Sequence, residues 1–305
     1  MAQPKKQSKP RPRQQPKSDP IHLRRRFVFR GNAAAFGGRF VRPDDVTLDT
    51  PAASSLPVVG GRSASTIEGE EARRFNERFK GHLSFAAAST LAEGRFDDRA
   101  QAIELTHGRV REEALAISTR VRAEIKTLTV GHDQRLRVAR MVAELRSTNP
   151  RDVGEPPIAV GDLAIEDLTI EGFRLKIVLD SSVFNEFDTQ SKLLGRAAKA
   201  DFAKKYGHQV FMRPGNAGRG PTGMRRGHLH GTLVTKIDWD GEVNPRATIV
   251  GNHVVVVKDF GKIFLGEILV SGGARRVTLL RLELGSNGGG GAGGPDVDIN
   301  GTYSP

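Results

Sequence analysis

The chain has 305 residues, with 47 Lys and Arg against 35 Asp and Glu and no Cys. Without cysteine it has no disulfide, no thiolate nucleophile and no zinc site built on sulfur. No apolar run approaches the roughly 18 residues of a membrane-spanning helix, and no apolar h-region follows the basic N-terminus. We therefore expect a cytoplasmic protein without a transmembrane segment.

The net charge of +12 is concentrated in two segments. Residues 1–30 carry ten Lys or Arg against one Asp, and residues 196–230 carry eight Lys or Arg against one Asp. The remainder of the chain has a net charge of −4. The two basic segments, not the body of the protein, therefore make the chain basic.

The composition divides the chain into four parts. Residues 1–20 consist mainly of Pro, Lys, Arg, Gln and Ser, and such a segment buries too little apolar surface to fold, so we predict a disordered basic tail. A β-rich domain is predicted over 21–285. The glycine-rich residues 286–295 are predicted to be a flexible linker, and 296–305 a short C-terminal segment.

Alternation of apolar and polar residues is the clearest pattern in the chain. It holds over 115–125, and shorter stretches repeat it at 173–180 and 229–239. Further strands are predicted at 82–91, 99–106, 158–170, 246–257, 262–270 and 276–284. Many short strands without βαβ alternation favour an antiparallel, β-sandwich-like body.

Two segments are candidates for helix. Residues 136–145 fit a helical spacing, but alternation of Leu136 and Val138 is also compatible with a strand, and the sequence leaves this open. Residues 188–206 favour one packed helix, with Asp188 or Ser191 as a possible N-cap and Gly207 at its end.

A dinucleotide-type motif and a histidine pair both match known site patterns. Residues 218–223 match G-x-G-x-x-G, but a β segment follows the match instead of the helix that phosphate binding needs. His228 and His230 flank Leu229, so a strand places both imidazoles on one face, as for two metal ligands. A third ligand such as His208, His253 or Asp238 cannot be placed from sequence, and a solvated strand face explains the same pattern. We predict no bound cofactor.

The basic segments suit an anionic polymer, because each Lys or Arg contact with a phosphate releases counterions. A solubilising tail and a solvated helix face are the alternative explanation. The predicted polyanion-binding residues are Lys5, Lys6, Lys9, Arg11, Arg13, Lys17, Arg24, Arg25, Arg26, Lys204, Lys205, Arg213, Arg219, Arg225 and Arg226.

Three stretches carry a resemblance to a loosely defined group of proteins: ALAISTRVRAEI at 114–125, DLTIEGFRLKIVLD at 167–180 and the run at 260–285. They resemble uncharacterised bacterial β-rich proteins, including the choice-of-anchor groups. The resemblance implies an all-β body with no assigned activity, and it assigns no functional residue.

These observations give three functional hypotheses. The first is a non-catalytic structural or interaction protein that binds a protein partner or self-assembles. The second is a binder of nucleic acid or another polyanion through the N-terminal arm and the 196–230 segment. The third is a metal-dependent enzyme around His228 and His230.

Overall fold

Two antiparallel sheets stack face to face and form a β-sandwich, which confirms the predicted fold class. The computed structural model of the chain describes residues 27–41, 45–97, 103–104, 110–111, 116–131, 135–149, 155–197, 199–211, 229–285 and 289–303. The tail at 1–20 and the motif at 218–223 lie outside these ranges, as does much of the strand predicted at 99–106. No helix in the described part is long and apolar enough to cross a membrane.

The elements are numbered in chain order. The strands are β1 Phe27–Ala34, β2 Gly37–Phe40, β3 Val46–Leu48, β4 Ala53–Ser55, β5 Gly61–Glu68, β6 Leu83–Ser84, β7 Ala87–Asp97, β8 Ile103–Glu104, β9 Val110–Arg111, β10 Ala116–Val130, β11 Leu136–Asn149, β12 Ile158–Glu166, β13 Thr169–Ile170, β14 Phe173–Leu179, β15 Val210–Phe211, β16 Leu229–Thr232, β17 Val234–Trp239, β18 Ala247–Val250, β19 Val254–Val257, β20 Gly261–Ser271, β21 Ala274–Leu284, β22 Gly290–Gly293 and β23 Asp296–Tyr303. The helices are α1 Gly69–Arg78, α2 Ser182–Glu186, α3 Gln190–Ala197 and α4 Ala200–Tyr206.

The larger sheet has twelve strands. Seven follow the path β15-β16-β20-β21-β22-β2-β3, while β23, β1 and β4 branch in succession from β21, and β19 and β18 from β20. The smaller sheet has nine strands, of which seven follow the path β17-β14-β13-β11-β10-β7-β5, while β12 pairs with β11 and β6 with β10. The long strands β10 and β11 pack across the core against β1 and β23. The sheets approach so closely there that a Cβ on Gly31 would lie 2.6 Å from Cγ1 of Val121.

Residues 136–145, which the sequence left open, form part of strand β11. This strand pairs with β10 over its whole length, from Leu136 opposite Val130 to Asn149 opposite Ile117. Leu136, Val138 and Leu145 are all buried in the core. Residues 136–145 are therefore a strand and not a helix, because they pair with β10, the strand that the sequence predicts most clearly.

The predicted helix at 188–206 is two helices, α3 and α4, and a third short helix, α2, precedes them. Neither predicted residue caps α3. Instead the carboxylate of Glu155 accepts from the backbone N–H of Gln190 at 2.5 Å, and Thr189 Oγ1 accepts from Lys192 N at 3.2 Å. Glu155 lies 35 residues before Gln190 along the chain, so residue spacing around the helix could not reveal this cap. Gly207 ends α4 as predicted.

Arg275 attaches α2 to the larger sheet. Its side chain is 2% exposed and donates to the carbonyl oxygens of Phe184 and Phe187, at 2.7 Å each. Both oxygens lie at the C-terminal end of α2, where carbonyls lack partners within the helix. Burial lowers the pKa of Arg275 to about 10, although the charges of Asp188 and Glu155 oppose that shift.

The predicted linker at 286–295 is wrong in its central part, because Gly290–Gly293 is strand β22. This strand pairs with β21 on one side and with β2 on the other. A Cβ on Gly38 of β2 would lie 2.5 Å from the Cα of Ala292, so these strands approach more closely than side chains allow. The following segment joins the same sheet as β23, paired with β1 and β21. The β body therefore extends beyond residue 285.

Candidate functional site: a groove on the outer face of the larger sheet

Most of the predicted polyanion-binding residues lie outside the described part of the chain. These are the nine in residues 1–26 and the four in residues 212–228. Lys204 and Lys205 are described, and both are exposed on α4. The Nζ atom of Lys205 lies 4.8 Å from the centroid of the Tyr206 ring.

The points where the two basic segments join the larger sheet lie at the same end of that sheet. Leu229, Val270, Arg275, Ile299 and Gly31 form one row across five strands, and β16 and β1 run in the same direction. The chain therefore enters β16 from residue 228 and β1 from residue 26 at a common end. Four strand spacings separate the two strands, or roughly 19 Å.

The histidine pair is only half described, because His228 lies outside the described ranges. His230 is exposed on β16, opposite Leu269 of β20. Of the predicted third ligands, His253 lines the same groove as His230, whereas Asp238 is on β17 of the smaller sheet. The described residues contain no group of three or more His, Asp or Glu arranged to hold a metal ion. The metal site stays a prediction.

An open groove of about 760 Å³ lies on the outer face of the larger sheet. It crosses β16, β20, β21 and β22. Its charged and aromatic lining residues are Phe211, His230, His253, Glu267, Arg276, Arg281, Glu283 and Asp296. Gly291 and Gly293 of β22 leave one side of the groove without side chains.

A change in the alternation of β20 at Gly266 directs the groove side chains outward. Gly266 has a φ of +63°, and its carbonyl accepts from Leu233 N at 2.7 Å. Ile263 and Leu265 before the glycine are buried, and so are Ile268 and Val270 after it, so the alternation shifts by one residue. Glu267 therefore faces the groove. Only a residue that tolerates positive φ fits at position 266, and a Cβ there would lie 3.0 Å from Val234 Cγ2.

Two arginine–carboxylate pairs fix the charges in the groove. Arg281 donates to both carboxylate oxygens of Glu267, at 2.6 and 2.8 Å, and to Glu283 at 2.5 Å. Its guanidinium lies 3.7 Å above the ring of Phe264. Arg276 donates to both oxygens of Asp296, at 2.8 and 2.6 Å. Hydrogen bonds to these carboxylates raise the pKa of both arginines.

His253 stacks on Phe211 at the rim of the groove, with ring centroids 4.9 Å apart. Its Nδ1 lies 3.2 Å from Asn252 Oδ1. Burial lowers the pKa of His253, Glu267 opposes the shift and Arg281 adds to it. The imidazole is therefore neutral near pH 7 and presents an aromatic surface next to the ion pairs.

The outer face of the smaller sheet carries a second charged cluster. Glu144 is fully buried and accepts from Arg120 at 2.6 Å and from Arg146. A Cβ on Gly161 would lie 2.6 Å from Glu144 Oε1, so this glycine makes space for the carboxylate. Nearby, burial raises the pKa of Glu124, but hydrogen bonds from Arg140 and Arg122 outweigh it and lower the pKa overall.

Sequence reasoning named His230 and His253 as possible ligands but missed the arginine pairs around them. Arg281 and Glu267 are 14 residues apart along the chain, and Arg276 and Asp296 are 20 apart. The only available signal was the placement of charged residues at outward positions of predicted strands. That signal did not reveal which strands are neighbours.

Comparison with known proteins gives one match. No curated protein and no solved structure matches the chain. A family model described as a domain of unknown function, DUF8256, matches residues 27–271, from the start of β1 to the end of β20. The chain therefore belongs to the DUF8256 family.

Proposed function

We propose that this chain is a non-catalytic interaction protein whose groove binds an extended segment of a protein partner. The pairing of charges in the groove is the observation that supports the proposal. Arg281 and Arg276 each hold a carboxylate through two hydrogen bonds, so the groove presents fixed positive and negative groups. A general acid or base must instead be free to exchange a proton.

The groove combines this charge pattern with surfaces that suit a polypeptide. Phe211 and His253 offer stacked rings, and Leu269 adds an aliphatic side chain. The bare backbone of Gly291 gives a partner chain close access to β22. Complementary charges at such a surface determine register and specificity more than affinity.

Site-specific photo-crosslinking tests this proposal. A photoreactive residue at Leu269 in the groove is compared with one at Lys126, which is exposed on the smaller sheet. We expect a discrete crosslinked protein from position 269 only, and its loss in the Glu267→Gln, Arg281→Gln double variant. The same products from both positions, or none from position 269, would contradict the proposal.

Polyanion binding is the second candidate, and the common end at which both basic segments join the larger sheet favours it. Residues 1–26 carry nine Lys or Arg against one Asp, and residues 212–228 carry four Arg and no acid. Two cationic segments that join the same end of the larger sheet, on strands roughly 19 Å apart, can engage one anionic polymer together.

The salt dependence of nucleic-acid binding tests the second candidate. Deleting residues 2–20 removes six cations and one Asp. If all six contact phosphates of duplex DNA, the log–log salt slope falls by about five, at roughly 0.9 per contact. Neutralising Arg219, Arg225 and Arg226 lowers it further. Absence of salt-dependent binding to any nucleic acid or acidic polymer would refute this candidate.

We also propose one relationship to other proteins. Kinship with the β-rich bacterial choice-of-anchor groups rests on the three stretches quoted above, and the DUF8256 match names no such relationship.

A further inference from the structure

We propose that strand β5 is a docking edge for a second copy of this chain, with the two copies of β5 paired antiparallel about a two-fold axis at Ser65. The edge belongs to the smaller sheet, whereas the groove lies on the larger one. The inference therefore goes beyond the proposed function and does not depend on it.

Strand β5 is a long and regular edge. It occupies the end of the path in the smaller sheet and pairs only with β7, in one unbroken register from Gly61 opposite Gly94 to Glu68 opposite Ala87. It contains no Pro and no bulge, which are common devices that keep an edge from pairing with another chain.

The other long edges of the smaller sheet are protected in ways that β5 is not. On β12, Asn185 binds both the N–H and the C=O of Val160, at 2.7 and 3.1 Å. On β17, Asn252 Nδ2 donates to the carbonyl of Val234 at 2.6 Å, and a register shift interrupts the pairing with β14. In the described part of the chain, only β7 hydrogen-bonds the backbone of β5.

Helix α1, which follows β5 directly, does not cover the edge. Asn76 Nδ2 donates to the carbonyl of Phe85 at 2.8 Å, and Asn76 Oδ1 accepts from Phe85 N at 3.0 Å. The ring of Phe75 also lies 5.1 Å from that of Phe85. Phe85 comes just before β7, on the inner side of β5, so these contacts hold α1 away from the open edge.

The charges of β5 fit a second copy of the same strand. Arg62 and Glu68 are exposed, lie on the same face of the sheet and make no ion pair among the described residues. Antiparallel pairing about Ser65 places Arg62 of each copy opposite Glu68 of the other, which gives two complementary pairs. Opposite charges directly across two strands stabilise pairing, and like charges destabilise it.

The corner next to β5 is unusually apolar for exposed surface. Val58 and Val59, in the turn that leads into β5, are 62% and 76% exposed. Exposed apolar side chains beside an unpaired edge are typical of a surface that is covered in an assembly.

A single introduced cysteine tests the geometry, because the full-length chain contains no cysteine. About the proposed axis, residue 65 faces itself with the Cα atoms roughly 5 Å apart, within the range of a disulfide. Ser65→Cys should therefore form a disulfide-linked dimer on mild oxidation. Ala64→Cys is the matched control, since residue 64 faces residue 66 and its side chain points to the other face of the sheet. We expect at least about ten-fold less crosslinked product from the control.

Charge exchange tests the register independently. Sedimentation at a protein concentration of about 100 μM should show a particle of twice the chain mass. A dimer with a dissociation constant of about 1 μM is almost fully formed at that concentration. Arg62→Glu or Glu68→Arg alone should weaken the dimer about ten-fold, and the double variant should restore it. Lys80→Glu makes the same change in net charge elsewhere and should have no effect.

Three outcomes would overturn the proposal. The first is a wild-type chain that remains monomeric at about 100 μM, even if β5 then pairs with a strand of a different protein. The second is a dimer that the single charge variants leave unchanged. The third is equal crosslinking of Ser65→Cys and Ala64→Cys. Circular dichroism of each variant establishes that the β body is intact.

Discussion

Replacing Arg275 by Met tests whether this buried cation holds α2 against the larger sheet. Methionine keeps most of the side-chain length and apolar contact but removes both hydrogen bonds to the carbonyls of Phe184 and Phe187. We expect the variant to fold and to be less stable than the wild type.

The expected loss of stability follows from three contributions, two that lower the free energy of unfolding and one that raises it. Two hydrogen bonds from a charged group contribute about 1.5–3 kcal/mol each. Burying the cation lowers its pKa from its ordinary value to about 10, which corresponds to a cost of about 3 kcal/mol that methionine removes. At least one carbonyl is left buried without a donor, at a cost of about 1–3 kcal/mol. The free energy of unfolding should therefore fall by about 3 kcal/mol, the middle of a range from about 1 to about 6 kcal/mol.

Urea unfolding at pH 7 measures this change. Arg276→Met is the matched control, because Arg276 is the next residue on β21 and makes an exposed ion pair with Asp296. An exposed ion pair contributes about 0–1 kcal/mol, so the control should lose little. If Arg275→Met is as stable as the wild type, or more stable, the proposed role of Arg275 is wrong.

Three smaller changes test other parts of the structure. Gly161→Ala places a Cβ 2.6 Å from Glu144 Oε1 and should lower the free energy of unfolding, measured with urea, by about 1–3 kcal/mol. An unchanged urea midpoint would show that Gly161 is not needed to make space for the Glu144 carboxylate. Glu155→Gln weakens the cap of α3 and should cost about 1 kcal/mol, which thermal unfolding followed by circular dichroism can detect; equal melting temperatures would refute the cap. Burial lowers the pKa of His253 below 6.5. As the pH falls through 6.5, His253 therefore takes up a proton in the unfolded chain before it does so in the folded chain. Stability should therefore fall on acidification through this range, and His253→Phe should reduce the part of this loss measured by urea midpoints between about pH 7.5 and 5.5.

The strand pattern could be predicted because one face of each sheet is buried. Residues 117–125 alternate between core and exterior along β10, and the sequence shows this directly. Residues 136–145 could not be assigned from their own spacing, since the partner strand β10 determines their conformation. Helix α1 was missed, and Ala72 is the one residue of this helix that is fully buried.

The groove could not be predicted, because its charged pairs join strands whose order the sequence does not reveal. The glycine-rich C-terminal region misled the prediction for a different reason. Glycine lowers the tendency of an isolated chain to fold, but in β22 it permits strand contacts that any side chain would prevent. Composition alone cannot distinguish these two uses.

Pairing of the first described strand with the last has a consequence for the order of folding. Strand β1 lies between β23 and the short strand β4, with Phe27 opposite Tyr303. During synthesis β1 therefore leaves the ribosome long before its main partner exists, and the backbone edge that pairs with β23 stays unpaired for about 270 further residues. At roughly 5–20 residues per second this interval lasts between about 10 and 60 seconds. Contacts so distant in sequence also slow folding, so the larger sheet should close last, after β10 and β11 have formed their hairpin.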